Sequence, residues 1–130
     1  MEILLVLIIL AGAGFSLLIR IPHDFEKKNI EISATELQED LRETQQAAIS
    51  NNVWYQVKFS PYTNEYKIFK QSELVSLQSL PTGVRFSNSP SELTFLPTGA
   101  PNVGMTVILK AGNLERKIIV APVLGRIRLE

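Results

Sequence analysis

Ile3-Leu-Leu-Val-Leu-Ile-Ile-Leu-Ala-Gly-Ala-Gly-Phe-Ser-Leu-Leu-Ile19 carries no charge, with Glu2 at its head and Arg20-Ile21-Pro22 at its foot. As an α-helix rising about 1.5 Å per residue, residues 1–22 would cover roughly 30 Å, one bilayer core. The stretch has no polar face, which a helix buried in so small a domain would need. It is read as a transmembrane helix. It lacks the basic start, short apolar core and small-residue cleavage site of a removable signal peptide. A carboxylate at the tip of such a helix is expensive in hydrocarbon and needs a reason. Pro22 removes a backbone donor and disfavours helix at Ile21, so a kink is expected there, with Gly12 and Gly14 as a second soft spot. Arg20, Lys27 and Lys28 follow the span and no basic residue precedes it. Taken literally, the positive-inside rule puts the rest of the chain in the cytoplasm.

Outward from this stretch, residues 23–52 read as an amphipathic continuation of the helix. Ser33-Ala-Thr-Glu36 has the form of a capping box, with Ser33 as N-cap. Leu37, Leu41 and Ala48 mark one face, with Ala34, Thr44 and Ile49 beside it. Glu36, Glu39, Asp40, Arg42 and Glu43 fall mostly elsewhere and read as a solvated surface. Asn51-Asn52 tolerate the left-handed conformation that ends a helix.

After Asn52 the hydrophobic period drops to two. Val53, Tyr55, Val57 and Phe59 alternate with polar partners, Pro61–Asn64 is a turn, and Glu65–Lys70 returns as a second strand. Residues 71–83 read as irregular. Short strands are expected at Val84–Ser87 and Glu92–Leu96, a hairpin at Met105–Lys110 and Lys117–Ala121, and a last strand at Gly125–Leu129. One long or kinked helix followed by about seven strands is an α+β arrangement, the helix packed on an antiparallel sheet. The β-rich globular domain then occupies residues 53–130.

The 130 residues hold no cysteine, one histidine and a formal net charge of zero. Without thiols or a second histidine, neither metal binding nor Ser-His or Cys-His catalysis has support, and His23 reads as a solvated residue at the membrane exit. No glycine-rich phosphate loop is present. No enzyme, metal or cofactor is expected. Leu80-Pro-Thr-Gly83 and Leu96-Pro-Thr-Gly99 repeat four letters, and both read as turns. Five cations (Lys110, Arg116, Lys117, Arg126, Arg128) gather between Met105 and Glu130. In a strand Arg126 and Arg128 share a side, about 6.6 Å apart, a spacing suited to successive phosphates. The competing reading is that they decorate an edge strand and discourage edge pairing.

Several of these features together resemble a family. The Met1-Glu2-Ile-Leu-Leu-Val6 start, the apolar helix and Pro22 are similar to a type IV pilin-like protein. Leu37-x3-Leu41-x6-Ala48-Ile49, Trp54–Phe59, Leu80-Pro-x-Gly-Val84, Leu93-Thr-Phe95 with Gly99, and Gly125-Arg-Ile-Arg128 resemble the GspH/FimT group of minor pseudopilins. The resemblance spans essentially the whole chain and implies a pilin-like fold. It implies a minor subunit, at or near the tip of a type II secretion pseudopilus or a type IV pilus, for protein transport across the envelope. Partners would be other pilins or pseudopilins through the N-terminal helix, and the cytoplasmic membrane. The alternative use is a membrane-tethered DNA-binding minor pilin for natural transformation, because Gly-Arg-x-Arg resembles a DNA-contact pattern in FimT-like pilins; Arg126 and Arg128 would touch DNA.

The family is made with a short basic leader, cut after a glycine by a prepilin peptidase and then methylated. Met1 falls just before the family's glutamate, so either the sequence begins at an internal Met or that processing has been lost. A missing leader would also account for the orientation. The family is single-pass in the inner membrane with its β domain outside the cytoplasm, held by basic leader residues. Glu2 then serves assembly, meeting a neighbour's N-terminal amine and setting register in a bundle of parallel helices.

Overall fold

The computed structural model describes residues 25–130. Helix α1 is Glu2–Asn51, and eight strands follow: β1 Tyr55–Ser60, β2 Glu65–Lys70, β3 Glu73–Ser79, β4 Arg85–Phe86, β5 Leu93–Phe95, β6 Met105–Ala111, β7 Leu114–Val120 and β8 Ile127–Leu129. Glu2, Pro22 with its expected kink, and His23 lie outside the described residues, as does the expected membrane span. Among the described residues no helix segment is long and apolar enough to cross a membrane.

The part of α1 that packs does so through a seam. Ile30, Ala34, Leu37, Leu41 and Ala48 are buried, with Thr44 between them. Alternate steps of four and three keep one stripe facing one way. The expected cap at Ser33 does not form. The helix runs through it, and Ser33 Oγ donates to Asn29 O at 2.7 Å. Thr44 Oγ1 does the same to Asp40 O at 2.6 Å. Both hydroxyls thus lie on the buried seam without an unmet hydrogen bond. Burying Ile30 one turn earlier extends the seam, and that gain overrides the local start signal. The C-terminal end is as expected: Asn52 takes φ 52°, the left-handed conformation that short polar side chains tolerate.

The strands form two antiparallel four-stranded sheets rather than one, in the orders β3-β2-β1-β5 and β4-β6-β7-β8. Tyr55, Val57, Tyr66 and Ile68 come into the core from the first sheet. Val107, Leu109, Ile118, Val120 and Ile127 come from the second, and the helix seam lies in the same cluster. Phe59 of β1 meets Phe86 of β4 edge to face, with ring centroids 5.8 Å apart, a favoured aromatic geometry that ties one sheet to the other.

The segment expected to be irregular contains β3. It pairs with β2 along its length, with an irregularity between Ile68 and Phe69. Leu74, Val75 and Leu77 are all about half exposed or more, so no buried side alternates with an exposed one. Main-chain pairing at the sheet's outer edge makes this strand, and hydrophobic periodicity cannot reveal it. The β6–β7 hairpin is tighter than expected: Ala111 faces Leu114 across Gly112-Asn113. Gly112 takes φ 60° there, as such two-residue hairpin turns require.

A row of polar side chains beside the seam holds the last strand. Arg42 donates to Ile127 O at 3.1 Å. Gln45 Nε2 donates to Gly99 O at 2.8 Å and to Gly125 O at 3.0 Å. Gln38 reaches Ile127 O at 3.5 Å, a marginal distance. These positions recur at helical spacing, so one side of α1 lies along the open edge of β8 and satisfies its carbonyls. Gly125 is required here. A Cβ at this position would come within 2.5 Å of Gln45 Nε2 and 2.9 Å of Gly99 O, and φ is +66°.

On the other side of the seam, Tyr66 Oη donates to Asp40 Oδ2. Asp40 and Arg42, both read as solvated surface, therefore hold the sheets to the helix. Burial, then the hydrogen bond to Asp40 and the charges of Asp40 and Glu36, push the Tyr66 phenol well above its ordinary range.

Two outcomes follow for the full chain in detergent. Leu41→Ala should lower unfolding free energy by about 2–5 kcal/mol, read as a shift in urea midpoint, whereas exposed Glu39→Ala should stay within about 0.5 kcal/mol of the parent. The raised folded-state pKa of Tyr66 contributes stability that is intact below the unfolded value of about 10 and is lost as pH rises beyond it. Tyr66→Phe should therefore fall less steeply than the parent in midpoint-versus-pH curves above pH of about 10, while being less stable than the parent at neutral pH.

Candidate functional site

The most exposed apolar residues of the sheet domain, apart from turn residue Tyr62, lie beside its last strand. After β7 the chain turns at Pro122, and Val123 and Leu124 are each 80% exposed. Val123 adopts φ 68°, a conformation that a β-branched residue takes only against steric resistance. Behind this tip, Gly104 has no room for a side chain, because a Cβ there would sit 2.9 Å from Pro122 Cδ. The Gly99 and Gly125 loops meet over Gln45. The loops after β5 and β7 are thus packed together and fixed to the helix.

β8 sets the two arginines. Ile127 is buried while Arg126 and Arg128 are exposed, so both lie on the outer side of the sheet, as alternation requires. With Ala121 and Leu124 they line a shallow concavity of about 310 Å³. A neighbouring hollow of about 420 Å³, lined in part by Gly104, Met105 and Pro122, shares Arg128. The surface is therefore mixed, with aliphatic ground between two guanidinium groups.

The five-cation cluster does not hold together. Arg116 lies on the helix side of β7 and meets Glu31 of α1 at 3.5 Å. Lys117 stands opposite Glu130, with paired main-chain hydrogen bonds. Arg128 Nε lies 3.8 Å from Glu130 Oε1, in the open, where such a pair contributes little. Lys110 faces Glu115 in register. Acids interrupt the outer cations, and no continuous track for a nucleic-acid backbone results. The DNA-contact expectation for Arg126 and Arg128 gains nothing from this arrangement.

The two Leu-Pro-Thr-Gly segments are turns, as expected, but of different kinds. Val84 N–H donates to Pro81 O at 3.1 Å, and Gly99 N–H donates to Leu96 O at 2.8 Å. Gly83 thus sits inside its turn and Gly99 closes its own, each at positive φ. Among the described residues there is no group of three His, Asp or Glu placed to hold a metal ion.

Sequence reasoning found Arg126 and Arg128 from their spacing. It missed the Gln38–Arg42–Gln45 row that positions them. The one available signal was polar residues at helical spacing directly beside the apolar seam. It also missed the Val123-Leu124 tip, for which no periodic signal exists.

The fold has known counterparts. The minor pseudopilin EpsH from the type 2 secretion system of Vibrio cholerae superposes with a TM-score of 0.65 at 15% identity, covering 77% of this chain and 94% of that one. The type IV minor pilin FimU of Pseudomonas aeruginosa gives 0.66 at 16% identity, covering 81% and 90%. No curated protein sequence matches the chain. The sequence model of the family described as type II transport protein GspH matches residues 33–123, from the middle of α1 to the exposed tip after β7. That span is well over half of the chain, and the chain belongs to the GspH family.

Proposed function

We propose that this chain is a minor subunit of a pilin-like filament of the cell envelope, a type II secretion pseudopilus or a type IV pilus, serving protein transport. Membership of the GspH family carries this reading. The fold is in keeping with it: a minor pseudopilin and a type IV minor pilin share it. The role is structural rather than enzymatic, and no cofactor enters it.

The geometry suits such a role. In a filament built on packed helices, a subunit must hold its globular domain rigidly on its helix. Here the buried seam, the Tyr66–Asp40 bond and the Arg42 and Gln45 bonds join both sheets and the last strand to one helix. Movement of the helix along a filament would carry the whole domain with it.

The apolar stretch 3–19 supplies the second part of the proposal. It would rest in the inner membrane before assembly, with the β domain outside the cytoplasm, and then pack against sister helices. Glu2 would be neutralised by a neighbour's N-terminal amine, which favours addition in one register. Pro22 would be the joint between the anchored and the packed parts of the helix. A prepilin peptidase would act on any leader upstream of Met1.

The test uses the full chain, tagged at its C-terminus, in cells that assemble such filaments. The parent should co-purify with sheared filaments. Glu2→Leu should stay in the membrane fraction and disappear from the filament fraction. Incorporation of Glu2→Leu at the parental level would remove Glu2 from the mechanism, and absence of the parent from filaments would overturn the reading itself.

A further inference from the structure

One end of the sheet domain lies at the level where α1 leaves its uncharged stretch. β7 climbs the helix from Gly112, where a Cβ would lie 3.0 Å from Glu26 Oε2, past Arg116 at Glu31, to Gly125 beside Gln45. The Pro81–Gly83 turn closes the same end. Asn29 Nδ2 donates to Thr82 O at 3.3 Å, and a Cβ on Gly83 would lie 4.0 Å from Glu26 Cγ. Glu26 stands seven residues after Ile19, the last residue of the uncharged stretch. That is about 10 Å of helix. A headgroup layer is about 5–8 Å deep on each side of a bilayer. With residues 3–19 in the membrane, both turns come within a side chain's reach of the headgroups.

The chemistry of this end suits that place. Phe25 of α1 is 58% exposed, and Leu114, which follows the Gly112-Asn113 turn, is exposed too. Tyr62 is fully exposed on the same end, in a turn whose Asn64 bonds to Leu80 and Phe86. Aromatic side chains are favoured at the headgroup level, where one side of the ring is apolar and the other wet. Lys27 and Lys28 are exposed on the helix. Arg85 faces Lys110 in register across β4 and β6. Like charges directly opposite each other destabilise a sheet, and a phosphate between them would relieve the repulsion. Among the described acids of this end, Glu31 is held by Arg116. Glu26 and Glu115 are exposed, and Lys27, Lys28, Arg85 and Lys110 outnumber them.

We propose that this end of the domain docks on the surface of the membrane that holds its helix, with Lys27, Lys28, Arg85 and Lys110 on anionic lipid headgroups and Phe25 and Leu114 set among them. The proposal rests on the membrane placement of residues 3–19 argued above, and not on the filament role. Continuity selects the bilayer as the occupant. One helix carries both the apolar stretch and this end, so insertion of the first holds the second at the headgroups and makes docking an intramolecular event. Cations beside a membrane are drawn by its negative surface potential, which falls off within about 10 Å at moderate salt. The Gly99 and Gly125 loops, at the other end of the domain, would then face away from the membrane. Withdrawal of the helix from the bilayer would break the headgroup contacts, so the anionic lipid content would set how readily the chain leaves.

The chain has no cysteine, so Asn113→Cys at this end and Ser72→Cys in the turn at the other each give the full chain a sole thiol for a bimane label. Each variant is reconstituted in phosphatidylcholine vesicles, with and without phosphatidylglycerol, that also contain lipid with a nitroxide on its headgroup. In the phosphatidylglycerol vesicles the nitroxide should quench the label at 113 about threefold more than the label at 72. That excess should fall by at least half in phosphatidylcholine alone. It should fall equally when Lys27→Glu, Lys28→Glu, Arg85→Glu and Lys110→Glu are combined with Asn113→Cys. Equal quenching at both sites, or an excess that neither lipid charge nor charge reversal changes, would overturn the proposal. Resistance to alkaline extraction is measured on the same vesicles. An inserted chain without the excess sinks the headgroup contact alone, whereas a chain that alkali strips from the vesicles sinks the membrane placement of residues 3–19. The vesicles hold no other subunit, so neither result depends on the filament role.

Discussion

One buried stripe of α1 decides whether the rest of this domain can exist. The core draws side chains from two four-stranded sheets and from the Ile30–Ala48 seam, and the sheets are small. β4 contributes two residues, β5 and β8 three each. Strands that short cannot close a core on their own. The helix covers both sheets at once, and its small residues at Ala34, Thr44 and Ala48 let the strands approach its backbone. The domain is best understood as two partial sheets completed by a shared helix.

The same constraint explains the polar bonds flanking the seam. A helix laid over two sheets runs along strand edges, where unpaired carbonyls need partners. Arg42 and Gln45 meet those of Ile127, Gly125 and Gly99. On other edges, asparagines do the work of a missing strand. Asn88 both donates to Thr106 O and accepts from Ile108 N–H, at 2.7 and 3.0 Å. Asn102 exchanges a main-chain and a side-chain bond with Thr94. β3 is the exception, a seven-residue edge strand with no strand on its outer side. Covering an edge in this way stabilises the fold and also prevents strand addition by other chains.

What could be read from the sequence follows from which forces leave a periodic trace. The face of Leu37, Leu41 and Ala48, the end of the helix at Asn52, strand β2 and the β6–β7 hairpin were all legible, because each buries one side and exposes the other, or uses a residue with special backbone freedom. β3 was not, since both its sides are exposed and only main-chain bonds define it. The division into two sheets was not either: the strands alternate in the same way whether they form one sheet or two. Ser33 misled because its capping pattern is local, while burial of Ile30 is tertiary and stronger. The spacing of Arg126 and Arg128 was visible, but the turning of Arg116 toward Glu31 was hidden in the register of β7.

The fold tolerates wide sequence divergence for the same reason. EpsH shares only 15% of its residues with this chain yet superposes over most of both. The constraints that set the architecture must therefore be ones that many residues can meet. A seam asks only for apolar or small side chains at steps of three and four, and a strand asks for alternation. Specific demands fall on few positions, such as a glycine at 125, where Gln45 and Gly99 leave no space for a side chain. The outward surfaces carry none of these demands. Leu124, Glu39 and Glu43 are exposed, so changing them costs the core little.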